Sequence, residues 1–175
     1  MIKANKVFFG LSIFIVALVA AVLVLPMTTE TCAAGGACIE RASGGGTLVI
    51  PNVNTRIFSF NAQKSSNGTV MGKAQVINKA FDFVADIDIK CLEVVGNRAR
   101  VAGVVIFSTD PDFNNNTAVF EVFDNGNPQG TNDTNSLIFF SPPNSPPPTP
   151  AYCQNFENFP QQTIGEGNIQ VEDCP

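Results

Sequence analysis

An acidic segment near the middle of the chain carries the side chains best suited to binding a metal ion. In a calcium loop of the EF-hand type, the first, third, fifth and twelfth positions supply oxygen ligands. The same spacing occurs here at four residues: Asp110, Asp112, Asn114 and Glu121. Asn115 stands at the sixth position in place of glycine, although Asn tolerates left-handed backbone geometry. Because Asp, Asn and Pro also build ordinary polar turns, the sequence leaves open calcium as a cofactor and a turn without any cofactor.

A second acidic segment, residues 124–133, has the same two interpretations, and its residues are equally typical of a long connection between strands. Hydrolysis of glycosides would need two carboxylates that face each other at roughly 5–9 Å. No spacing in the sequence singles out such a pair. We therefore predict no catalytic residues, and a calcium-dependent hydrolase acting through the Asp110 segment remains as an alternative.

The five cysteines predict disulfides, because an exported protein can keep them. Short separation along the chain favours the pairs Cys32–Cys38 and Cys153–Cys174. Cys91 is then left as a free thiol on the inward face of a predicted strand, where it would behave as a small hydrophobic residue. A zinc site is not indicated, since the chain has no Cys-x-x-Cys pair and no histidine.

The composition argues against several further classes of function. The chain has 175 residues, no histidine and no tryptophan, and Tyr152 is its only tyrosine. Without histidine there is no Ser-His-Asp or Cys-His relay and no imidazole metal ligand. The net charge is −5, which does not favour binding to a phosphate backbone. No nucleic-acid partner is therefore expected.

A hydrophobic segment follows Lys3 and Lys6 at the start of the chain. Residues 7–25 form an uncharged run of nineteen residues. A helix of that length spans about 28 Å at about 1.5 Å per residue, close to a hydrocarbon core of about 30 Å. We predict a signal peptide or signal anchor over residues 1–26, with a transmembrane helix at 7–25. The basic start places the rest of the chain outside the cytoplasmic membrane, anchored to it through this helix or secreted.

The remaining chain divides by composition. Residues 27–46 are rich in Thr, Ala and Gly and predict a flexible linker. Residues 47–141 alternate short apolar runs with Gly, Asn and Asp clusters, which predicts a single all-β domain, an antiparallel β-sandwich or a small β-barrel. Residues 142–150 predict a proline-rich spacer that cannot pair in a sheet. Residues 151–175 predict a disulfide-closed tail, in which 164–171 could form an edge strand.

Period-two alternation predicts which side chains face the core of the β domain. Three strands carry the clearest inward sets: Phe58, Phe60 and Ala62; Ile87, Ile89 and Cys91; Ala99, Val101, Gly103, Val105 and Phe107. Arg98 and Arg100 are expected to point outward from the last of them. If the domain is a barrel that carries a small ligand, we expect its lumen to be lined by Phe58, Phe60, Val105, Phe107 and Phe120.

Spaced glycines also support a family resemblance between residues 62 and 139. The residues that carry it are Gly68-x-Val70-x-Gly72, Asp88-Ile89-Lys90-Cys91-Leu92-x-Val94-x-Gly96-Asn97-x-Ala99-x-Val101-x-Gly103, Phe120-x-Val122-x-Asp124-Asn125-Gly126 and Asp133. On these residues the chain resembles the post-COAP-type secreted β-domains of microbial surface proteins. The resemblance implies a small β-barrel or sandwich outside the cell, and it implies no activity.

Together these observations favour an exported, non-catalytic β-domain that acts as a surface or secreted binding or envelope module. Its partners would be the membrane, through an uncleaved N-terminal segment, and an extracellular protein or glycan. A calcium-dependent hydrolase and a periplasmic carrier of a small ligand are the two alternatives.

Overall fold

The computed structural model describes residues 39–50, 54–126, 132–143, 145–155 and 159–174. The predicted helix at 7–25, most of the predicted linker and the predicted Cys32–Cys38 pair lie outside these residues. Within the described part of the chain, no helix is both long enough and apolar enough to cross a membrane.

The described chain is all-β, as predicted. Its strands are β1 (Glu40–Ile50), β2 (Asn54–Lys64), β3 (Val70–Asn78), β4 (Phe83–Val95), β5 (Arg98–Ser108), β6 (Thr117–Phe123), β7 (Thr134–Ser136), β8 (Phe139–Phe140) and β9 (Gln161–Glu172). One short helix, α1 (Pro150–Gln154), lies between β8 and β9. The turns at Asn67-Gly68 and Gly96-Asn97 join neighbouring antiparallel strands, as their sequences predict.

The strands close into an eight-stranded antiparallel barrel, so the choice between barrel and sandwich is settled. Strands β1 to β6 each pair with the next along the chain, β6 pairs with β7, β7 with β9, and β9 returns to β1. The short strand β8 pairs with the first half of β6. Apolar side chains from the inward faces, among them Phe58, Phe60 and Phe120, form the core inside this ring.

The barrel extends beyond the predicted domain at both ends. β1 begins at Glu40, inside the predicted linker, and β9 lies in the predicted tail. The glycines at 44–46 lie within β1 and not in a flexible linker. Because they lack side chains, β1 can approach β9 closely. Gly167 faces Gly46 with φ 123°, and a Cβ at Gly167 would overlap the Gly45 carbonyl oxygen. Only glycine fits at such a contact.

Two bulges between β4 and β5 overturn two of the predicted faces. One shifts the register between Asp86 and Ile87, so that Ile106 and Phe107 both become exposed. The other lies between Ile89 and Cys91, and it moves Cys91 out of the core while Leu92 and Val94 point inward. The predictions for Phe107 and Cys91 are wrong, because an extra residue in one strand reverses the alternation beyond it.

Candidate functional site

A cleft of about 650 Å³ opens at the end of the barrel where β2 and β4 begin and β3 ends. We call it the mouth cleft. Its principal lining residues are Arg56, Asn78, Phe81, Phe83, Phe113 and Phe140. Small-molecule sites are typically concave, of about 300–1,000 Å³, and are often found in the mouths of β-barrels. Size and position therefore both suit a small ligand.

Arg56 brings a positive charge into the mouth cleft from the inward face of β2. It precedes Phe58 by two residues, and it lies between Leu48 of β1 and Asn78 of β3 in the strand register. Its Nε is buried and has no hydrogen-bond partner, and among the described residues Arg56 makes no ion pair. Burial lowers the pKa of the guanidinium. An arginine nevertheless stays protonated, so a partly desolvated charge is held here without a counter-ion.

At the opposite end of β2, Lys64 is a cation that forms two ion pairs. Lys64 lies eight residues further along the same face, and its Nζ is 3.0 Å from Glu40 Oε1 and 2.9 Å from Glu93 Oε2. Burial by itself would lower the pKa of Lys64, but the hydrogen bonds from Glu93 and Glu40 outweigh it and raise that pKa. Among the described residues, the fold thus supplies two carboxylates to Lys64 and none to Arg56.

Aromatic side chains form much of the remaining wall. Phe83, Phe113 and Phe140 meet edge to face, with ring centroids 4.9–5.9 Å apart. Phe81, in a 3₁₀ turn between β3 and β4, also lines the cleft and is 69% exposed. The edge-to-face contacts hold three rings in fixed positions, whereas Phe81 leaves apolar surface uncovered. The walls are thus suited to an apolar ligand body.

Two carboxylates, Asp82 and Asp110, lie on the rim of the mouth cleft. Asp110 Oδ1 accepts a hydrogen bond of 3.1 Å from the Asp112 backbone N–H and so caps a short 3₁₀ turn. Asp82 is exposed, with left-handed backbone geometry at φ 49°. Neither aspartate forms an ion pair with Arg56 within the ranges that the structure describes.

The structure does not assemble the predicted calcium ligands. Asp110, Asp112 and Asn114 belong to the turn after β5, but Glu121 lies in β6 opposite Arg100, which is near the other end of β5. The strand geometry carries Glu121 away from the turn, so the twelve-residue spacing does not form a loop around a cation. Among the described residues there is no cluster of three or more Asp, Glu, Cys or His side chains suited to a metal.

Glu121 belongs instead to a charge network on the outer face of the barrel. Its carboxylate is fully buried, with Oε2 2.7 Å from Arg98 Nη2 and Oε1 3.7 Å from Arg100 Nη1. Arg100 was predicted to point outward, and the structure places it outside the core but only 3% exposed. Tyr152 and Phe159 cover it, with their ring centroids 5.3 and 5.0 Å from the guanidinium carbon.

The cysteine predictions need correction at two points. Cys91 and Cys153 form a disulfide, so Cys91 is not free and Cys153 does not pair with Cys174. Cys174 is itself disulfide-bonded. The pairing predicted from short separation along the chain is wrong because the bulge near Ile89 turns Cys91 away from the core. Cys91 then packs together with Cys153 of α1. Disulfides are typical of oxidising compartments.

The predicted lumen residues do not form the site. Phe58, Phe60, Val105 and Phe120 are buried in the packed core, and Phe107 points outward. The ligand-sized space lies beyond them, at Arg56. The alternation that placed Phe58 and Phe60 inward would have placed Arg56 on the same face, so the sequence contained that signal. Nothing in the sequence shows that Arg56 has no counter-ion among the residues that the structure describes.

No protein-family profile matches the chain, and neither curated proteins nor solved structures give a match. Function must therefore be inferred from the chemistry of the barrel itself.

Proposed function

We propose that this protein is an exported, non-catalytic binding module whose barrel mouth holds a small molecule with an apolar body. The observation that carries the proposal is the mouth cleft, a concave space of about 650 Å³ with four phenylalanines in its wall. Of the functions that the sequence leaves open, this geometry best supports a carrier of a small ligand, which would lie at the mouth of the barrel and not in its lumen.

Binding is preferred to catalysis because of the residue types available. The whole chain lacks histidine, so no imidazole can act as a general base. The two rim carboxylates, Asp82 and Asp110, are both exposed, and Asp110 already accepts a backbone hydrogen bond that caps a turn. The resemblance to secreted β-domains, which implies no activity, agrees with a binding role.

The placement outside the cytoplasmic membrane is part of the proposal. The Cys91–Cys153 disulfide supports an oxidising compartment. The hydrophobic run at 7–25, which lies outside the described residues, supports export with or without a retained membrane anchor. A larger partner, an extracellular protein or glycan, would then meet the barrel from outside the cell.

The exposed ring of Phe81 provides a direct test of the cleft. Phe81→Ala removes one apolar ring from the wall of the cleft, and because this ring is mostly exposed, the substitution should not disturb the fold. It should weaken binding of the neutral probe 4-phenyl-1-butanol by about fivefold, equivalent to about 1 kcal/mol. Titration calorimetry on the full chain measures the affinity. Phe107→Ala is the matched control, because Phe107 is 50% exposed on the outer surface. The proposal fails if the unmodified protein does not bind the alcohol, or if both variants weaken binding equally.

A further inference from the structure

We propose that Arg56 binds the carboxylate of an apolar monocarboxylic acid, an aryl or alkyl acid whose body lies against the phenylalanines of the mouth cleft. This inference rests on the proposed function and adds to it the chemical class of the ligand. It assigns Arg56 as the residue that selects for negative charge.

Arg56 has no counter-ion among the residues that the structure describes. Removing a charge from water is costly unless the charge is paired, and Arg56 Nε is buried with no hydrogen-bond partner in the described chain. Lys64, on the same face of β2, has Glu40 and Glu93 within 3.0 Å. The described part of the barrel thus gives Lys64 two carboxylates and Arg56 none, which leaves room for an external anion at Arg56.

The guanidinium of Arg56 and the rim of the mouth cleft together favour a particular shape and charge for that anion. A guanidinium presents a planar fork of N–H donors that matches the two oxygens of a carboxylate. Asp82 and Asp110 on the rim would repel a second negative charge on the ligand, so a singly charged head group is favoured over a phosphate monoester. The walls formed by Phe81, Phe83 and Phe140 provide apolar contact for the rest of the molecule.

The test compares three probes that share one body and differ in the head group: 4-phenylbutyrate, 4-phenyl-1-butanol and 4-phenylbutylamine. In titration calorimetry with the full chain, the carboxylate should bind at least about tenfold more tightly than the alcohol, as expected for one charge-assisted hydrogen-bonded pair. The amine should bind more weakly than the alcohol. A fourth probe, 4-phenylbutyl phosphate, should bind more weakly than the carboxylate because of the rim aspartates.

Arg56→Met should abolish the preference for the carboxylate over the alcohol, because methionine keeps the apolar stem without the charge. Arg56→Lys should restore part of the preference. Arg41→Met is the matched control, since Arg41 is an exposed arginine on β1 outside the mouth cleft, and it should keep the full preference. The Arg56→Met variant should also keep its melting temperature, because Arg56 has no partner in the described chain to lose.

The possible failures are distinguishable. If the carboxylate and the alcohol bind equally well before and after Arg56→Met, the assignment of Arg56 is overturned while the cleft remains a binding site. If neither probe binds, the proposed function and this inference both fail. If Arg56→Met lowers the melting temperature by several degrees, Arg56 has an intramolecular partner and the inference is overturned.

Discussion

Glu121 shows how much a single buried charge depends on its neighbours in this molecule. Its carboxylate is fully shielded from solvent, and it lies against Arg98 and the nearly buried Arg100. Removing one partner of a buried ion pair leaves an uncompensated charge, which costs more than the intact pair contributes. The outer face of β5 and β6 therefore depends on this carboxylate for charge balance.

Glu121→Gln should lower the free energy of unfolding by about 3 kcal/mol, because Arg100 would stay buried without a negative charge beside it. Equilibrium urea unfolding measures the change. Glu166→Gln is the control, an exposed carboxylate on β9 that should alter stability by no more than about 0.5 kcal/mol. Equal losses in the two variants would contradict a structural role for the network.

Sequence reasoning at the level of single residues succeeds for orientation and fails for pairing. Alternation on β2 correctly places Phe58 and Phe60 inside, and the same rule reaches Arg56. Whether a charge has a partner depends on strands distant in sequence, as Lys64 shows with Glu40 and Glu93. The spacing of Asp110 and Glu121 predicted proximity because it treated a strand as a compact loop.

At the level of elements, the strands between residues 54 and 123 follow from local sequence. The predicted inward sets lie on β2, β4 and β5, because alternation and turn signals such as Asn67-Gly68 are local properties. Bulges are different, since they depend on how two strands fit each other. The register shifts in β4 and β5 are the reason that Phe107 and Cys91 were assigned to the wrong face.

The Cys91–Cys153 disulfide fastens α1 to β4, across 62 residues of chain. Replacing both cysteines by alanine should lower the free energy of unfolding by about 4 kcal/mol, because the unfolded chain regains the entropy that a loop of this length removes. The double variant isolates this bond, whereas a reductant would also open the disulfide of Cys174. Urea unfolding measures the effect.

The same double variant should also loosen the cover over Arg100. Tyr152 and Phe159 flank Cys153 in the chain and contact the guanidinium, so their segment should lose protection from amide hydrogen exchange while β5 and β6 keep theirs. If the Tyr152 amide, which donates to the Thr149 carbonyl, stays as protected as before, the disulfide is not what holds α1 in place.

At the scale of the whole molecule, closure of the barrel depends on the parts of the sequence that looked least structured. β1 overlaps the predicted linker, β9 lies in the predicted tail, and their pairing completes the ring. Their polar and glycine-rich residues give a weak strand signal, and the two strands lie more than a hundred residues apart in sequence. A barrel and a sandwich were equally open because this long-range pairing is invisible to local patterns.

The proposed export can be tested on the whole chain. If residues 7–25 direct export as proposed, a reporter that is active only outside the cytoplasm, such as alkaline phosphatase, fused after Pro175 should be active in cells. Intact mass of the recovered protein should also show the loss of two hydrogens for each disulfide, of which Cys91–Cys153 is one.

The matched control for export deletes residues 7–25 and leaves the barrel unchanged. That protein should remain in the cytoplasm, where thiols are kept reduced, so its reporter should be inactive and its cysteines should carry their hydrogens. Because the barrel and the reporter are identical in the two proteins, any difference between them is due to the hydrophobic segment. Equal reporter activity with and without residues 7–25 would contradict export through this segment, and fully reduced cysteines in the intact protein would contradict an oxidising compartment.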